Sequence, residues 1–168
     1  DFYSMAVKDL NAKLLYRPDT LNTLSLSGIL TQNKRDFTGT IIERGSTDVD
    51  SLRVINYGTN LSWQRRLKQN ITTEFAITHS LFEFKSGSVV KRDTVLLRRA
   101  QIIHRIEDIS LRNSWTLAHL GKSNSSLKAG LEIVRHDLDD LIQDSGRGRG
   151  RNSGQDNKYL WVNSMYIN

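Results

Sequence analysis

The sequence contains no cysteine, only one proline and no long hydrophobic run. Without cysteine, the chain can form neither a disulfide framework nor a zinc–thiolate site. No apolar run approaches the length that a transmembrane helix needs, and the hydrophobic fraction of 38% is below the average of globular domains. These absences still permit a protein that spans a membrane with β-strands, because only every second residue of such a strand faces lipid.

Signatures of catalysis are also missing. The four histidines have no metalloprotease spacing, and the sequence contains no nucleophile elbow, phosphate-binding loop or dinucleotide fingerprint. We therefore expect that the chain is not an enzyme and has no catalytic, cofactor-binding or metal-binding residue. The net charge of +6 permits an anionic partner, but the basic residues follow no nucleic-acid-binding motif. Nucleic acid is not an expected partner.

The most informative stretch is 54–84, which predicts a β-hairpin. Apolar and aromatic residues alternate with small polar residues along 54–64, and the same alternation returns along 71–81. Successive strand residues point to opposite faces, so each strand has one apolar and one polar face. This pattern is typical of a transmembrane β-barrel, with lipid on one side and an aqueous lumen on the other. A soluble barrel or sandwich produces a similar alternation, in which the apolar face packs in the protein core and the polar face contacts solvent.

Weaker alternation elsewhere predicts further strands, about seven in total, at 5–16, 21–32, 109–117, 127–133 and 159–168. Short turns are expected near Pro18, Lys68 and Lys122, and long loops over 33–53, 85–108 and 136–158. We interpret the Arg-Gly run at 146–151 as a mobile part of the last loop. A short helix within 137–144 stays open, because leucines there continue a helical spacing. Short turns at one rim and long loops at the other are typical of outer-membrane barrels, whose short turns are periplasmic and whose long loops are extracellular.

The odd number of predicted strands indicates an incomplete barrel. Seven strands put the two chain ends at opposite rims, whereas a closed bacterial barrel has an even number of strands. An open sheet would leave unpaired edges, which hydrocarbon does not tolerate. We therefore expect residues 1–168 to be part of one β-barrel domain, a fragment from which the remaining strands are absent.

Several segments resemble the barrel of TonB-dependent outer-membrane receptors, particularly those of the Bacteroidetes. They are DFY at 1–3, DLNAKLLYRP at 9–18, LSLSG at 24–28, NYGTNLSW at 56–63, LKAGLE at 127–132 and RHD at 135–137. The resemblance covers most of the chain. It implies the earlier part of such a barrel, without the plug domain, the TonB box or the terminal aromatic residue that these receptors carry.

The resemblance implies a function, a location and partners. The function is TonB-dependent uptake of a scarce nutrient such as a siderophore, haem, cobalamin, an oligosaccharide or a peptide, across the outer membrane of a Gram-negative bacterium. The implied partners are membrane lipids and lipopolysaccharide, TonB through the missing plug region and the imported nutrient, with a surface lipoprotein as a further candidate. Two alternatives stay open: a soluble β-barrel or β-sandwich ligand-binding module, and a non-transport outer-membrane barrel such as an adhesin or a scaffold.

Three groups of side chains carry more specific hypotheses. Residues that suggest either hard-cation contact or a solvated acidic loop are His136, Asp137, Asp139, Asp140 and Asp144. Aromatic residues predicted to form interfacial girdles are Tyr16, Trp63, Trp115 and Trp161. Charged residues predicted to face the lumen, where they pair with one another or with a plug, are Lys13, Glu74, Arg112, Lys128 and Glu132. The Arg-Gly run is interpreted as a solubilising segment, with lipopolysaccharide phosphates as its alternative contact.

Overall fold

The structure is a computed structural model, and it describes residues 2–41, 45–92, 95–118, 126–146 and 151–167. These residues form seven β-strands and no helix: β1 (Phe2–Tyr16), β2 (Asn22–Ile41), β3 (Ser46–Lys68), β4 (Ile71–Arg92), β5 (Val95–Ala118), β6 (Ser126–Gly146) and β7 (Arg151–Ile167). None of the described residues belongs to a helix that is long and apolar enough to cross a membrane.

All seven strands belong to one sheet, in the order β1-β2-β3-β4-β5-β6-β7. Each strand pairs with the next in antiparallel orientation, so the chain runs up and down and β1 and β7 are the two edges. The predicted fold class, an all-β antiparallel up-and-down sheet of about seven strands, is confirmed.

The strands extend much further than their alternation predicts. The segments 33–53, 85–108 and 136–158 were expected to be long loops, and this expectation is wrong because their described residues continue the hairpins. For example, β2 and β3 stay paired from Gln32 opposite Ile55 to Ile41 opposite Ser46. Residues 137–144 are likewise not helical, because they pair with β5 from Glu107 opposite Asp137 to Ala100 opposite Asp144. Cross-strand hydrogen bonds satisfy the backbone in these polar segments and hold them in the sheet.

The connections near Pro18 and Lys68 are short, as predicted. After β1, the Asp19 carboxylate accepts hydrogen bonds from the backbone N–H groups of Leu21 and Asn22, each at 2.7 Å, and thereby fixes the turn. Only residues 69 and 70 separate β3 from β4. The predicted turn near Lys122 and residues 147–150 of the Arg-Gly run lie outside the described residues.

The described residues form a single layer without a hydrophobic core. Ala76, 1% exposed, is the one buried hydrophobic residue among them. A soluble sandwich requires a second packed sheet, and a closed soluble barrel would require β1 and β7 to pair. The described chain forms neither of these soluble alternatives.

Candidate functional site

The strand register aligns apolar side chains into a row that crosses six strands. Leu61 of β3 lies opposite both Leu26 of β2 and Ile77 of β4. Leu14, Leu111 and Ile133 complete the row on β1, β5 and β6. Register partners point to the same side of a sheet, so all six side chains belong to one surface, which we call the apolar face. They are 38% to 65% exposed.

Aromatic side chains lie along both borders of the apolar face. Near the short turns, Tyr16, Trp63 and Trp115 lie close to the same level of their strands, and the indole N–H of Trp63 donates to the Asn22 side-chain oxygen at 3.0 Å. Trp161 lies further from the short turns, in register with Arg135. The four aromatic residues singled out from the sequence therefore divide between two borders. This division suits an interfacial girdle on each side of a membrane.

The opposite surface, the polar face, carries small side chains that hydrogen-bond between strands. The hydroxyl oxygens of Ser25 and Ser62 are 2.6 Å apart, and Thr78 donates to the side-chain oxygen of Asn60 at 3.1 Å. Ser114, 1% exposed, also lies on this face, and its hydroxyl has no hydrogen-bond partner among the described residues. The Ser25–Ser62 and Thr78–Asn60 pairs satisfy hydrogen-bonding groups that would be costly against hydrocarbon.

The five charged residues predicted to face a lumen all lie on the polar face: Lys13, Glu74, Arg112, Lys128 and Glu132. Arg112 pairs with Glu74 at 3.3 Å, which confirms the expected mutual pairing for these two residues. Within the described ranges, Lys13, Lys128 and Glu132 have no ion pair. These three charges are therefore available for contacts with groups outside the described residues.

The residues considered for cation binding do not form a loop or a common site. Strand alternation puts His136, Asp140 and Asp144 on the polar face, and Asp137 and Asp139 on the apolar face. Four of the five have partners at 2.7 Å: His136 with Asp108, Asp140 with His104, Asp144 with Arg98 and Asp137 with Arg135. The described residues contain no group of three or more side chains able to hold a metal ion. The acidic-loop interpretation is wrong, because these residues belong to β6.

The register also reveals a basic surface that the sequence analysis missed. Lys34, Arg53 and Lys85 lie side by side on β2, β3 and β4. Together with Arg99 of β5 they line a groove of roughly 290 Å³ on the apolar-face side, which we call the basic groove. One signal was present in the sequence. On each of β2, β3 and β4, the basic residue lies two or four residues from the last apolar residue of the alternating stretch, on the side away from the short turns.

Comparison with known proteins supports the fold. No protein-family model matches the sequence, and no curated protein matches it. Among solved structures, the sheet is similar to the ferric yersiniabactin uptake receptor FyuA from Yersinia pestis, with a TM-score of 0.64 and 11% sequence identity. The alignment covers 98% of this chain and 25% of the receptor, so the chain spans about a quarter of that protein's length. At this identity the likeness shows the fold alone, which resembles part of the barrel of a TonB-dependent receptor.

Proposed function

We propose that the chain forms part of the wall of an outer-membrane barrel that imports a scarce nutrient in a TonB-dependent manner. The observation that carries this proposal is the row of six leucine and isoleucine side chains, which stay 38% to 65% exposed. A continuous apolar surface of this kind marks contact with a membrane or with another protein. Hydrocarbon against the apolar face and water against the polar face account for the two surfaces together.

The length of the apolar stretches supports a membrane as the contact. The alternating apolar segments 55–63 of β3 and 71–81 of β4 contain about nine and about eleven residues, the length that a tilted transmembrane strand needs. Beyond them, toward Ser46 and Arg92, the alternation ends, charged residues become frequent and the strands continue. We assign the short turns to the periplasmic side and the extended hairpins to the cell exterior.

The partners follow from the same geometry. The edges β1 and β7 carry unpaired backbone groups, which hydrocarbon does not tolerate, so further strands would complete the barrel. TonB would act through a plug region, and Lys13, Lys128 and Glu132 would contact that plug or the passing nutrient. The similar receptor is named for ferric yersiniabactin, so an iron–siderophore chelate is the first substrate class to test, before haem, cobalamin, oligosaccharides and peptides. The Bacteroidetes subtype and a surface lipoprotein partner rest on the sequence segments alone, and we propose no catalytic activity.

Cysteine labelling tests the membrane assignment directly, because the sequence contains no cysteine of its own. Leu111 and Ser110 are neighbours on β5 that lie on the apolar and the polar face respectively. A small, charged thiol reagent applied to outer-membrane preparations should modify Ser110→Cys and leave Leu111→Cys unmodified until the protein is denatured. Equal modification of both cysteines in intact membranes, or recovery of the protein in the soluble fraction, would overturn the proposal.

Uptake measurements test the transport assignment separately. Cells that lack the gene should lose accumulation of one nutrient class, and complemented cells should regain it only when TonB is present. Unchanged uptake of all the nutrient classes by cells whose protein is correctly located in the outer membrane would favour an adhesin or a scaffold instead.

A further inference from the structure

Beyond the apolar stretches, the polar face contains a pocket between β2, β3 and β4, which we call the inner pocket. Its volume is roughly 390 Å³, within the range of about 300–1,000 Å³ that small-molecule sites occupy. The register of the three strands places five of its six lining residues on the polar face, with Ser51 as the exception. These five residues are Arg35, Phe37, Asp50, Leu52 and Ser86.

The inner pocket contains one cationic and one anionic side chain that do not pair. Arg35 and Asp50 are exposed, and neither makes an ion pair or a hydrogen bond with another residue in the described part of the chain. The Arg35 guanidinium instead lies over the Tyr3 ring, with Cζ 5.1 Å from the ring centroid. Both charges therefore keep their hydrogen-bonding capacity for a ligand, and a guanidinium is suited to bidentate binding of a carboxylate.

The inner pocket opens onto apolar side chains of the same face. Leu52 and Ser86 continue in register to Ile102 of β5, which is 37% exposed. Closer to the short turns, a second row on β4, β5 and β6 is 36% to 39% exposed and consists of Phe82, Ile106 and Leu138. The two charges of the pocket therefore lie at one end of an apolar surface.

The polar side chains beside this apolar surface bind one another. His104 contacts Asp140 and His136 contacts Asp108, each at 2.7 Å. A ligand that extends from the inner pocket over β4, β5 and β6 would thus meet apolar side chains and polar groups that already have partners. The extending part of the ligand is expected to be apolar, because an uncompensated charge is costly against such a surface.

We propose that the inner pocket binds an amphipathic zwitterion, a compound with an ammonium group, a carboxylate and an apolar body. Asp50 accepts hydrogen bonds from the ammonium group, Arg35 donates to the carboxylate, and the apolar body lies over the apolar side chains of β4, β5 and β6. This inference rests on the proposed function, because the polar face must line the lumen that the nutrient enters. It narrows the substrate class, since haem and neutral oligosaccharides lack this pair of opposite charges.

The test uses the tripeptide trileucine as a probe that carries both charges and an apolar body. Its binding to the purified full-length protein in detergent micelles is measured by isothermal titration calorimetry, with protein-free micelles as the background. Acetylation of the probe removes its ammonium charge and amidation removes its carboxylate, and each change should weaken binding roughly tenfold, as expected for the loss of a hydrogen bond to a charged group. Triserine should bind at least about tenfold more weakly than trileucine, because it buries less apolar surface.

Two variants assign the two ends of the probe to the two residues. Asp50→Asn should weaken binding of trileucine roughly tenfold but leave binding of the acetylated probe within about twofold. Arg35→Gln should do the same for trileucine and the amidated probe. A variant that binds one probe as well as the unmodified protein does is folded, so a folding defect cannot produce this pattern.

The matched controls are Asp36→Asn and Arg53→Gln, which remove the same charges from the opposite surface of β2 and β3 and should leave binding of every probe within about twofold. Equal binding of trileucine and its acetylated or amidated form by the unmodified protein would overturn the inference, as would an equal loss in the controls. A protein that imports another nutrient from the outer membrane without binding trileucine would overturn only this inference. A protein that stays soluble without detergent would overturn the proposed function.

Discussion

Substitution of Ile77 by arginine provides the sharpest test of which surface contacts lipid. Ile77 lies on the apolar face of β4, between Leu61 of β3 and Leu111 of β5, and is 38% exposed. Its side chain therefore has apolar neighbours on both sides and a free outer surface. Ser80, three residues along the same strand, lies on the polar face beside Gly58 and Asp108. Ser80→Arg is the matched control, because it adds the same side chain to the same strand.

The expected magnitude follows from the depth of Ile77. The apolar stretch 71–81 spans about 34 Å along the strand at about 3.4 Å per residue. With a strand tilt of about 40°, this corresponds to a height of about 26 Å, close to the apolar band of a membrane barrel. Ile77 is then about 3 Å from the centre of the band. Arginine at the midplane of the lipid face costs about 2–4 kcal/mol, a factor of roughly 30 to 900 in the folding equilibrium.

The assay is reversible urea unfolding of the full-length protein in lipid vesicles, followed by tryptophan fluorescence. We expect Ile77→Arg to lower the free energy of unfolding by about 2–4 kcal/mol and Ser80→Arg to change it by about 0.5 kcal/mol or less. A cost for Ser80→Arg that equals or exceeds the cost for Ile77→Arg would refute the assignment of the two faces. A negligible cost for both variants would refute the membrane contact itself.

Two further predictions concern the turn after β1 and the packing of the polar face. The side-chain amide of Asn22, followed by the backbone N–H groups of Leu21 and Asn22, lowers the pKa of Asp19. The ionised carboxylate therefore stabilises the turn above its unfolded pKa of about 3.9, and this stabilisation is lost as the pH falls through the lower folded pKa. Urea midpoints between pH 6 and pH 2 should decline less in Asp19→Asn, and an identical decline would contradict this cause. A Cβ at Gly58 would lie 3.2 Å from Ile29 Cγ2, whereas one at Gly28 would have ordinary contacts at 3.7 Å. In the same urea-unfolding assay, Gly58→Ala should be about 1 kcal/mol less stable than Gly28→Ala. Equal stabilities of the two variants would contradict the crowding at Gly58.

The central hairpin could be predicted from the sequence because its two environments differ sharply. Along β3 and β4, every second residue faces the apolar surface, and the structure pairs Tyr57 with Leu81 and Leu61 with Ile77 as the alternation requires. An apolar face opposite a polar face is a local signal that one strand carries by itself. The same signal correctly indicated strands rather than a helix at 127–133.

The outer halves of the strands could not be predicted in this way. Their apolar residues fall on both faces among charged residues, so no regular alternation marks them, and only pairing with a neighbouring strand reveals that they are extended. The basic groove could not be predicted from the sequence for a similar reason. Lys34, Arg53, Lys85 and Arg99 come from four strands, and the register of those strands brings them together. Register depends on contacts between distant segments, which a reading of one segment at a time does not contain.

From β3 to β6, the outer border of the apolar face shifts toward the short turns in regular steps, and this slope accounts for charges in register with apolar residues. The last apolar residue of the alternating stretch on that face is in register with a charged residue on the next strand three times in succession: Ile55 with Glu83, Leu81 with Glu107 and Ile109 with Arg135. Strands perpendicular to the border would keep register partners on the same side of it. Strands that tilt, as in a closed barrel, cross the border obliquely and shift it from strand to strand, as it shifts between β3 and β6. Glu107 is therefore beyond the border on its own strand although its register partner is a leucine, and it reaches back to His79 at 2.9 Å. The charges at these levels are therefore expected of strands that cross the border of the apolar face obliquely, and they lie outside the apolar stretch of their own strands.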